Sequence, residues 1–191
     1  TSSREAVFAE VQAATGAEFV HPYNDARVIA WQGTCALELM EQSGGLDVVT
    51  APIGGGGMIS GTCLTLGAIA PKVRVIAAEP EQADDAARSF RVGRIIVDDA
   101  PQTVADGLKV PLKDLTWHFV SRGVSDILTV SEDEIVDAMK LIWQRMKIVV
   151  EPSSSVPLAA ILRNRDRFSG QRVGVILTGG NVDLDRLPWI G

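Results

Sequence analysis

The chain has 191 residues, 46% of them hydrophobic and 22% charged, and its formal net charge is −6. This composition is typical of a folded globular chain and excludes an intrinsically disordered one. The acidic balance, without a Lys/Arg cluster, argues against a nucleic-acid-binding protein, and no apolar run is long enough to span a membrane. We therefore expect neither nucleic acid nor a membrane among the partners.

The first half of the chain alternates apolar runs with helical patterns. In chain order we predict a helix over 6–14, a short strand over 18–20, a helix over 26–41, a strand over 46–53 and a helix over 58–70. Gly16 and Gly44-Gly45 follow the first two helices, as glycines commonly do at helix ends.

The second half continues this alternation. We predict strands over 73–78, 127–130 and 173–177, and helices that end near residue 91, begin at the capping box Ser131-x-x-Glu134, and cover 156–163. Residues 92–125 have weak periodicity and many turn formers, which predicts irregular connections with short strands. Strands that alternate with helices, several of them apolar throughout, predict an α/β fold: a mostly parallel twisted sheet with helices on both faces.

Four consecutive glycines, Gly54–Gly57, separate a predicted strand from a predicted helix. Glycines let the backbone turn sharply, and the N–H groups at the positive end of the helix then favour an anion such as a phosphate. The spacing is not G-x-G-x-x-G, because Ile59 and Ser60 stand where the last glycine would fall, and no Gly-Lys-Ser/Thr follows. A tight turn needed only for packing remains the alternative.

A second glycine-rich turn, Thr178-Gly-Gly-Asn181, follows the last predicted strand. In parallel sheets, ligands bind beyond the carboxyl ends of the strands, which makes the Thr178 hydroxyl a candidate partner for the same ligand. The alternative is an ordinary turn in which Thr178 caps a nearby backbone group.

Acidic residues cluster directly after the strand predicted over 73–78. The carboxylates of Glu79, Asp84 and Asp85, with the backbone carbonyl of Ala83, are hard oxygen ligands of the kind that Mg²⁺ or Ca²⁺ prefers. Asp84 and Asp85 also favour the start of the helix that they open, so the spacing alone leaves both interpretations standing.

The other reactive side chains give no catalytic assignment. His21 and His118 are expected to be structural, and no lysine is flanked by glycines or small residues as a Schiff-base lysine usually is. Cys35 and Cys63 lie in apolar helical contexts without metal-type spacing, and we expect reduced core residues, as in a cytoplasmic protein.

Taken together, these residues resemble the serine/threonine dehydratase and serine racemase family, the fold-type II pyridoxal 5′-phosphate (PLP) enzymes of the tryptophan-synthase-β type. The resemblance rests on His21-Pro22, Gln32-Gly33-Thr34, Gly54–Met58, Glu79-Pro80, Ala83-Asp84-Asp85, Ala105-Asp106-Gly107, Val130–Glu134, Glu151-Pro152 and Thr178–Asn181. These motifs follow the family's order and spacing across essentially the whole chain.

The resemblance implies a role for each matching residue. Gly54, Gly55, Gly56 and Gly57, with the amide of Met58, match the loop that holds the cofactor phosphate. Thr178 matches the hydroxyl that faces the pyridine nitrogen. Glu79, the Ala83 carbonyl and Asp85 match a divalent-cation site, for Mg²⁺ or Ca²⁺ and with Mn²⁺ as a further candidate.

The implied activity is a PLP-dependent dehydratase (deaminase) of a β-hydroxy amino acid such as serine, threonine or 3-hydroxyaspartate. The products would be a keto acid and ammonia, with serine racemase activity as an addition. A hydroxyl at the pyridine nitrogen makes the ring a milder electron sink than a carboxylate would, which favours rapid loss of the β-hydroxyl. The family also implies a homodimer.

Two family motifs do not occur in this chain: the Ser-x-Lys-x-Arg motif of the Schiff-base lysine and the Ser-x-Gly-Asn-His loop. We therefore expect residues 1–20 to be the end of the small domain and 21–191 the large cofactor-binding domain, with an upstream segment of the same enzyme supplying the lysine. Trp31 stands where family members usually carry Gly, and Tyr23 stands where some members carry Asn near the cofactor. Both changes alter the expected shape of the substrate pocket. The rival hypotheses are a non-catalytic α/β module that binds a phosphorylated ligand and a nicotinamide oxidoreductase.

Overall fold

The computed structural model describes residues 2–189, with side chains from residue 6 onward. The elements in this range are α1 (Ser2–Thr15), α2 (Ala26–Ser43), β1 (Val48–Pro52), α3 (Gly57–Ile69), β2 (Arg74–Pro80), α4 (Asp85–Val92), α5 (Asp114–Gly123), β3 (Val124–Val130), α6 (Glu132–Met146), α7 (Pro152–Arg163), α8 (Arg165–Phe168) and β4 (Val173–Val175). Short 3₁₀ turns cover Glu81–Ala83 and Asp106–Leu108. None of the helices in residues 2–189 is both long and apolar enough to cross a membrane.

The four strands form one parallel sheet in the order β3-β2-β1-β4. Val49 and Ala51 of β1 contribute to the core beneath α2, α3 and α5, whereas Val48 belongs to the core beneath α6 and α7. Successive strand residues point to opposite faces, so an apolar strand such as β1 buries side chains on both. The predicted α/β fold, a parallel sheet with helices on both faces, is confirmed.

The strand order reverses at β1, and this reversal places the site. β2 and β3 lie on one side of β1, and β4 lies on the other. Adjacent strands whose connections leave in opposite directions leave a crevice beyond their carboxyl ends, where ligands bind in this class of fold. We call the space beyond the ends of β1 and β4 the crevice.

The strand predicted over Glu18–Val20 is wrong. These residues follow α1 and belong to neither a helix nor a strand, and Phe19 and Val20 remain 44% and 46% exposed. Phe19 instead contacts the rings of Phe8 and His21, with centroid separations of 4.5 and 5.7 Å. The apolar side chain of Phe19 therefore makes local contacts with other rings and takes no part in a sheet.

The prediction of irregular structure over 92–125 is wrong at its C-terminal end, where α5 forms and β3 begins. Thr116 and Val120 of α5 are fully buried while Asp114, His118 and Arg122 are exposed, which is a helical pattern over only ten residues. Its start depends on the Thr116 hydroxyl, which accepts a hydrogen bond from the Lys113 amide at 3.1 Å. Because α5 is short and runs directly into β3 at Val124, no connecting turn marks it as a separate element in the sequence.

The two cysteines have different environments. Cys63 on α3 is buried, and burial raises the pKa of its thiol to about 12. Cys35 on α2 is exposed. The predicted core position is therefore right for Cys63 and wrong for Cys35.

Helices α2 and α3 cross at two glycines. A Cβ on Gly61 would lie 2.5 Å from both the Gly33 nitrogen and the Ile29 oxygen. Thr65 uses the same close approach, because its hydroxyl donates to the Gly33 carbonyl at 2.9 Å. This contact fixes α3, and with it the loop that precedes α3.

We predict that Gly61→Ala lowers the free energy of unfolding by roughly 1–3 kcal/mol, because the methyl group forces the two helices apart. Gly67→Ala, on the same helix, is the control. Its Cβ would meet nothing within 4 Å, so this change should stabilise the helix by roughly 0.5–1 kcal/mol. Urea denaturation measures both, and equal effects would contradict the close approach.

Candidate functional site

The glycine loop, Gly54–Gly57, follows β1 and is buried. A Cβ on Gly54 would lie 2.8 Å from the Leu108 Cα, and one on Gly55 would lie 2.7 Å from atoms of the Tyr23 ring. Real Cβ atoms do not approach so closely, so larger residues would displace the loop or its neighbours. The loop therefore needs glycine because the surrounding chain touches its backbone directly.

The backbone N–H groups of Gly54–Met58 have no hydrogen-bond acceptor within residues 2–189. The hydrogen bonds of α3 begin at Ser60, whose N–H donates to the Gly56 carbonyl at 3.0 Å. No side chain caps this end of the helix. Five consecutive donors at the positive end of a helix form a binding site for an anion.

The turn after β4 is held by residues at the start of α7. The Thr178 N–H donates to the Ser154 hydroxyl oxygen at 2.9 Å, and the Asn181 N–H donates to the Glu151 carboxylate at 3.1 Å. The Glu151 N–H donates in turn to the Gly179 carbonyl at 3.0 Å. Partial burial raises the pKa of the Glu151 carboxyl. The Thr178 side chain itself is exposed.

The glycine loop and Thr178 lie at the same edge of the sheet. Thr50 of β1 is opposite Val175 of β4, and the Ile176 N–H donates to the Thr50 carbonyl at 2.9 Å. Gly54 and Thr178 follow these paired residues by four and three positions on strands about 4.8 Å apart. The two predicted groups therefore flank the same crevice.

The Glu79 carboxylate is fully buried near the end of β2. Its two oxygens accept hydrogen bonds from the N–H groups of Ala86 and Ala87 at 3.0 and 2.8 Å, at the start of α4. Loss of water around the carboxyl outweighs these bonds and raises its pKa to about 9. A nearby cation would stabilise the ionised form of the Glu79 carboxyl and lower its pKa.

The other acidic residues of this turn differ in their surroundings. Asp85 is 4% exposed, burial raises its pKa to about 6, and its Oδ2 has no hydrogen-bond partner within the described residues. Asp84 pairs with Arg88 at 2.7 Å. In the described chain, no three His, Cys, Asp or Glu side chains form a metal-binding group. A cation here would need the Ala83 carbonyl and water besides two carboxylates, and the unpaired Asp85 oxygen fits that donor set.

Two residues that shape the crevice, Ser153 and Ser154, were not predicted from the sequence, whereas Tyr23 was predicted only to alter the pocket. Ser153 and Ser154, both buried in the first turn of α7, accept hydrogen bonds from the N–H groups of Gly107 and Thr178. Tyr23 lies against the glycine loop and donates its hydroxyl proton to the Pro111 carbonyl at 3.1 Å. A run of serines directly after a proline at a helix start was the available sequence signal.

Residues 1–179 match the model of the family described as "Pyridoxal-phosphate dependent enzyme". The chain belongs to this family. A nicotinamide oxidoreductase is therefore excluded, and the glycine-rich turns occur in the context of a PLP enzyme fold.

Known relatives agree with this membership. The chain is 74% identical over 189 residues to the beta-hydroxyaspartate dehydratase of Paracoccus denitrificans (strain Pd 1222), covering 99% of this chain and 60% of that protein. It is 47% identical to the serine racemase of Arabidopsis thaliana, and the match covers 97% of this chain and 58% of that protein. The structure of maize serine racemase superposes with a TM-score of 0.91 at 45% identity, and the superposition covers 95% of this chain and 57% of that one. The chain thus spans about three fifths of the length of these relatives.

Proposed function

We propose that this protein is a PLP-dependent dehydratase that converts a β-hydroxy amino acid to a keto acid and ammonia. The observation that carries the proposal is the row of five N–H donors, Gly54–Met58, at the same edge of the sheet as Thr178, where the strand order reverses. Among the candidate substrates, 3-hydroxyaspartate is favoured over serine and threonine, because the relative at 74% identity is a beta-hydroxyaspartate dehydratase. Serine racemase activity is proposed as a side reaction, from the likeness to plant serine racemases.

In this proposal the glycine loop holds the phosphate of the cofactor. The amides of Gly54–Met58 donate hydrogen bonds to its oxygens, and the positive end of α3 stabilises their charge. The close contacts of Gly54 and Gly55 with Leu108 and Tyr23 support a rigid loop. Such a loop needs little reorganisation when the phosphate arrives.

Bound PLP would withdraw electrons from the substrate's α-carbon. The Thr178 hydroxyl would face the pyridine nitrogen as a neutral partner in place of a carboxylate, and so would not hold a proton on the ring. A weaker electron sink favours prompt departure of the β-hydroxyl over slow exchange at the α-carbon. The backbone of Thr178 is held by Ser154, and the rest of the turn by Glu151.

We further propose that the Schiff-base lysine lies in a segment of the same enzyme outside these 191 residues. None of the lysines of this chain stands in the family's Ser-x-Lys-x-Arg motif. The division into a small-domain end over 1–20 and a large domain over 21–191 stays a prediction. So do the homodimer and the cytoplasmic location.

The function is tested with the full-length gene product, PLP and 3-hydroxyaspartate. We expect a visible cofactor absorbance band and stoichiometric keto acid and ammonia. Thr178→Asp should place a proton on the ring and slow β-elimination by about tenfold or more, whereas Thr178→Ser should keep near-normal turnover.

A protein that stays colourless with PLP and forms no keto acid from 3-hydroxyaspartate, serine or threonine would refute the enzyme. If it still bound phosphorylated ligands, the non-catalytic module would replace it. If the enzyme is active and Thr178→Asp leaves its turnover unchanged, only the proposed role of Thr178 is refuted.

We also propose that a divalent cation, Mg²⁺, Ca²⁺ or Mn²⁺, binds Glu79, the Ala83 carbonyl and Asp85. The buried Glu79 carboxylate and the unpaired Asp85 oxygen support this set, because both are carboxyl groups removed from water. The cation would order the turn between β2 and α4. It takes no part in the chemistry proposed at the crevice.

We expect chelation to lower the melting temperature by roughly 5–10 °C when the cation had been present at about 100 times its Kd. Asp85→Asn should abolish this difference because it removes a ligand charge. Asp84→Asn is the matched control and should preserve it, since Asp84 pairs with Arg88. Melting curves that do not respond to chelator in the unaltered protein would eliminate the cation site.

A further inference from the structure

Three adjacent serines at the start of α7 are buried, and each makes a different contact. Ser153 Oγ accepts from the Gly107 N–H at 3.1 Å, and Ser154 Oγ accepts from the Thr178 N–H at 2.9 Å. Ser155 Oγ donates to the Glu151 carbonyl, within its own helix, at 3.3 Å. Ser154 and Ser155 have no exposed surface. The chain therefore contains two equally buried hydroxyls side by side, and within residues 2–189 it is Ser154 that accepts the hydrogen bond from Thr178.

Thr178 needs an acceptor from outside the sheet. The ladder between β4 and β1 ends at the pair Val175 and Thr50, with one further bond from the Ile176 N–H. Two residues later, the Thr178 N–H makes no hydrogen bond to a strand carbonyl within residues 2–189. Backbone N–H groups that lose a sheet partner within a protein are normally satisfied by a side chain or water. Here the Ser154 hydroxyl takes that role.

This hydrogen bond restrains the start of the turn, while other contacts restrain its remainder. Glu151 holds Gly179 and Asn181. The Thr178 side chain is exposed, so its hydroxyl can be placed only through its own backbone. A backbone fixed at the amide fixes the Cα–Cβ bond, which determines the positions that a threonine hydroxyl can reach.

We infer that Ser154 is a positioning residue for the reaction: it holds the Thr178 backbone so that the Thr178 hydroxyl meets the pyridine nitrogen. The inference rests on the proposed function and extends it to a residue beyond the cofactor contacts. Ser154 acts through Thr178 and takes no part in proton transfer. Its replacement should therefore alter the cofactor's electronic state and the turnover rate, and leave substrate binding nearly intact.

The experiment compares Ser154→Ala with Ser155→Ala in the full-length, PLP-loaded enzyme. Ser154→Ala should lower kcat about 10- to 100-fold, as small misplacements of reacting groups do, and KM should stay within about twofold. The visible absorbance band of the bound cofactor should change in position or in its dependence on pH. Ser155→Ala removes an equally buried hydroxyl from the same turn and should leave kcat and the spectrum close to those of the unaltered enzyme.

Equal kcat and equal spectra for both variants would overturn the inference, and so would a Ser154→Ala effect confined to KM or to melting temperature. If Ser154→Ala does not fold, Ser154→Cys takes its place, because a thiol has similar size but is a weak acceptor. The same kcat and spectral changes are then expected. An unaltered enzyme that binds no PLP would refute the proposed function and the inference together, whereas active enzyme with indistinguishable variants refutes the inference alone.

Discussion

The site depends on five backbone N–H groups, Gly54–Met58, that have no acceptor in the part of the chain that the structure describes. A buried donor left unpaired costs about 1–3 kcal/mol, so a loop that leaves several unpaired is stable only if the rest of the fold holds it. The surrounding chain does so through direct contacts at Gly54 and Gly55, and the glycine crossing of α2 and α3 fixes the helix that follows. The loop is therefore ready for an anion before one binds.

Helix α7 connects the other side of the crevice to the acidic turn. Its first turn satisfies the N–H groups of Gly107 and Thr178 through two serines. At its last turn, Arg163 donates hydrogen bonds to Glu81, beside the proposed cation site, and to Glu134 at the start of α6. One rigid element thus contacts the turn that carries Thr178, the 3₁₀ segment beside the glycine loop, and the turn after β2. A substitution at any one of these three places is therefore expected to act on α7, and through α7 on the other two.

Hydrophobic spacing predicted most of the helices and strands that bury one continuous face. It failed where two elements join without a turn and where a contact joins residues far apart in the chain. The strand predicted over 46–53 is apolar because β1 is covered on both faces, and the structure has this strand over Val48–Pro52. The capping box at Ser131 formed as predicted, because its partners lie three residues apart. Helix α5 was missed because it is short and passes into β3 without a turn between them. Within the site, glycine runs placed the strand ends, but the contact between Ser154 and Thr178 joins residues 24 positions apart and leaves no periodic pattern.

The central claim is that bare amides of the glycine loop hold the cofactor phosphate. The most direct test records ¹H–¹⁵N spectra of the full-length enzyme loaded with PLP and with pyridoxal, which lacks the phosphate. The account predicts that the amide resonances of Gly54–Met58 differ between the two samples far more than those of Gly107 or Thr178. Unchanged resonances for these five amides, with the differences located elsewhere in the chain, would contradict it.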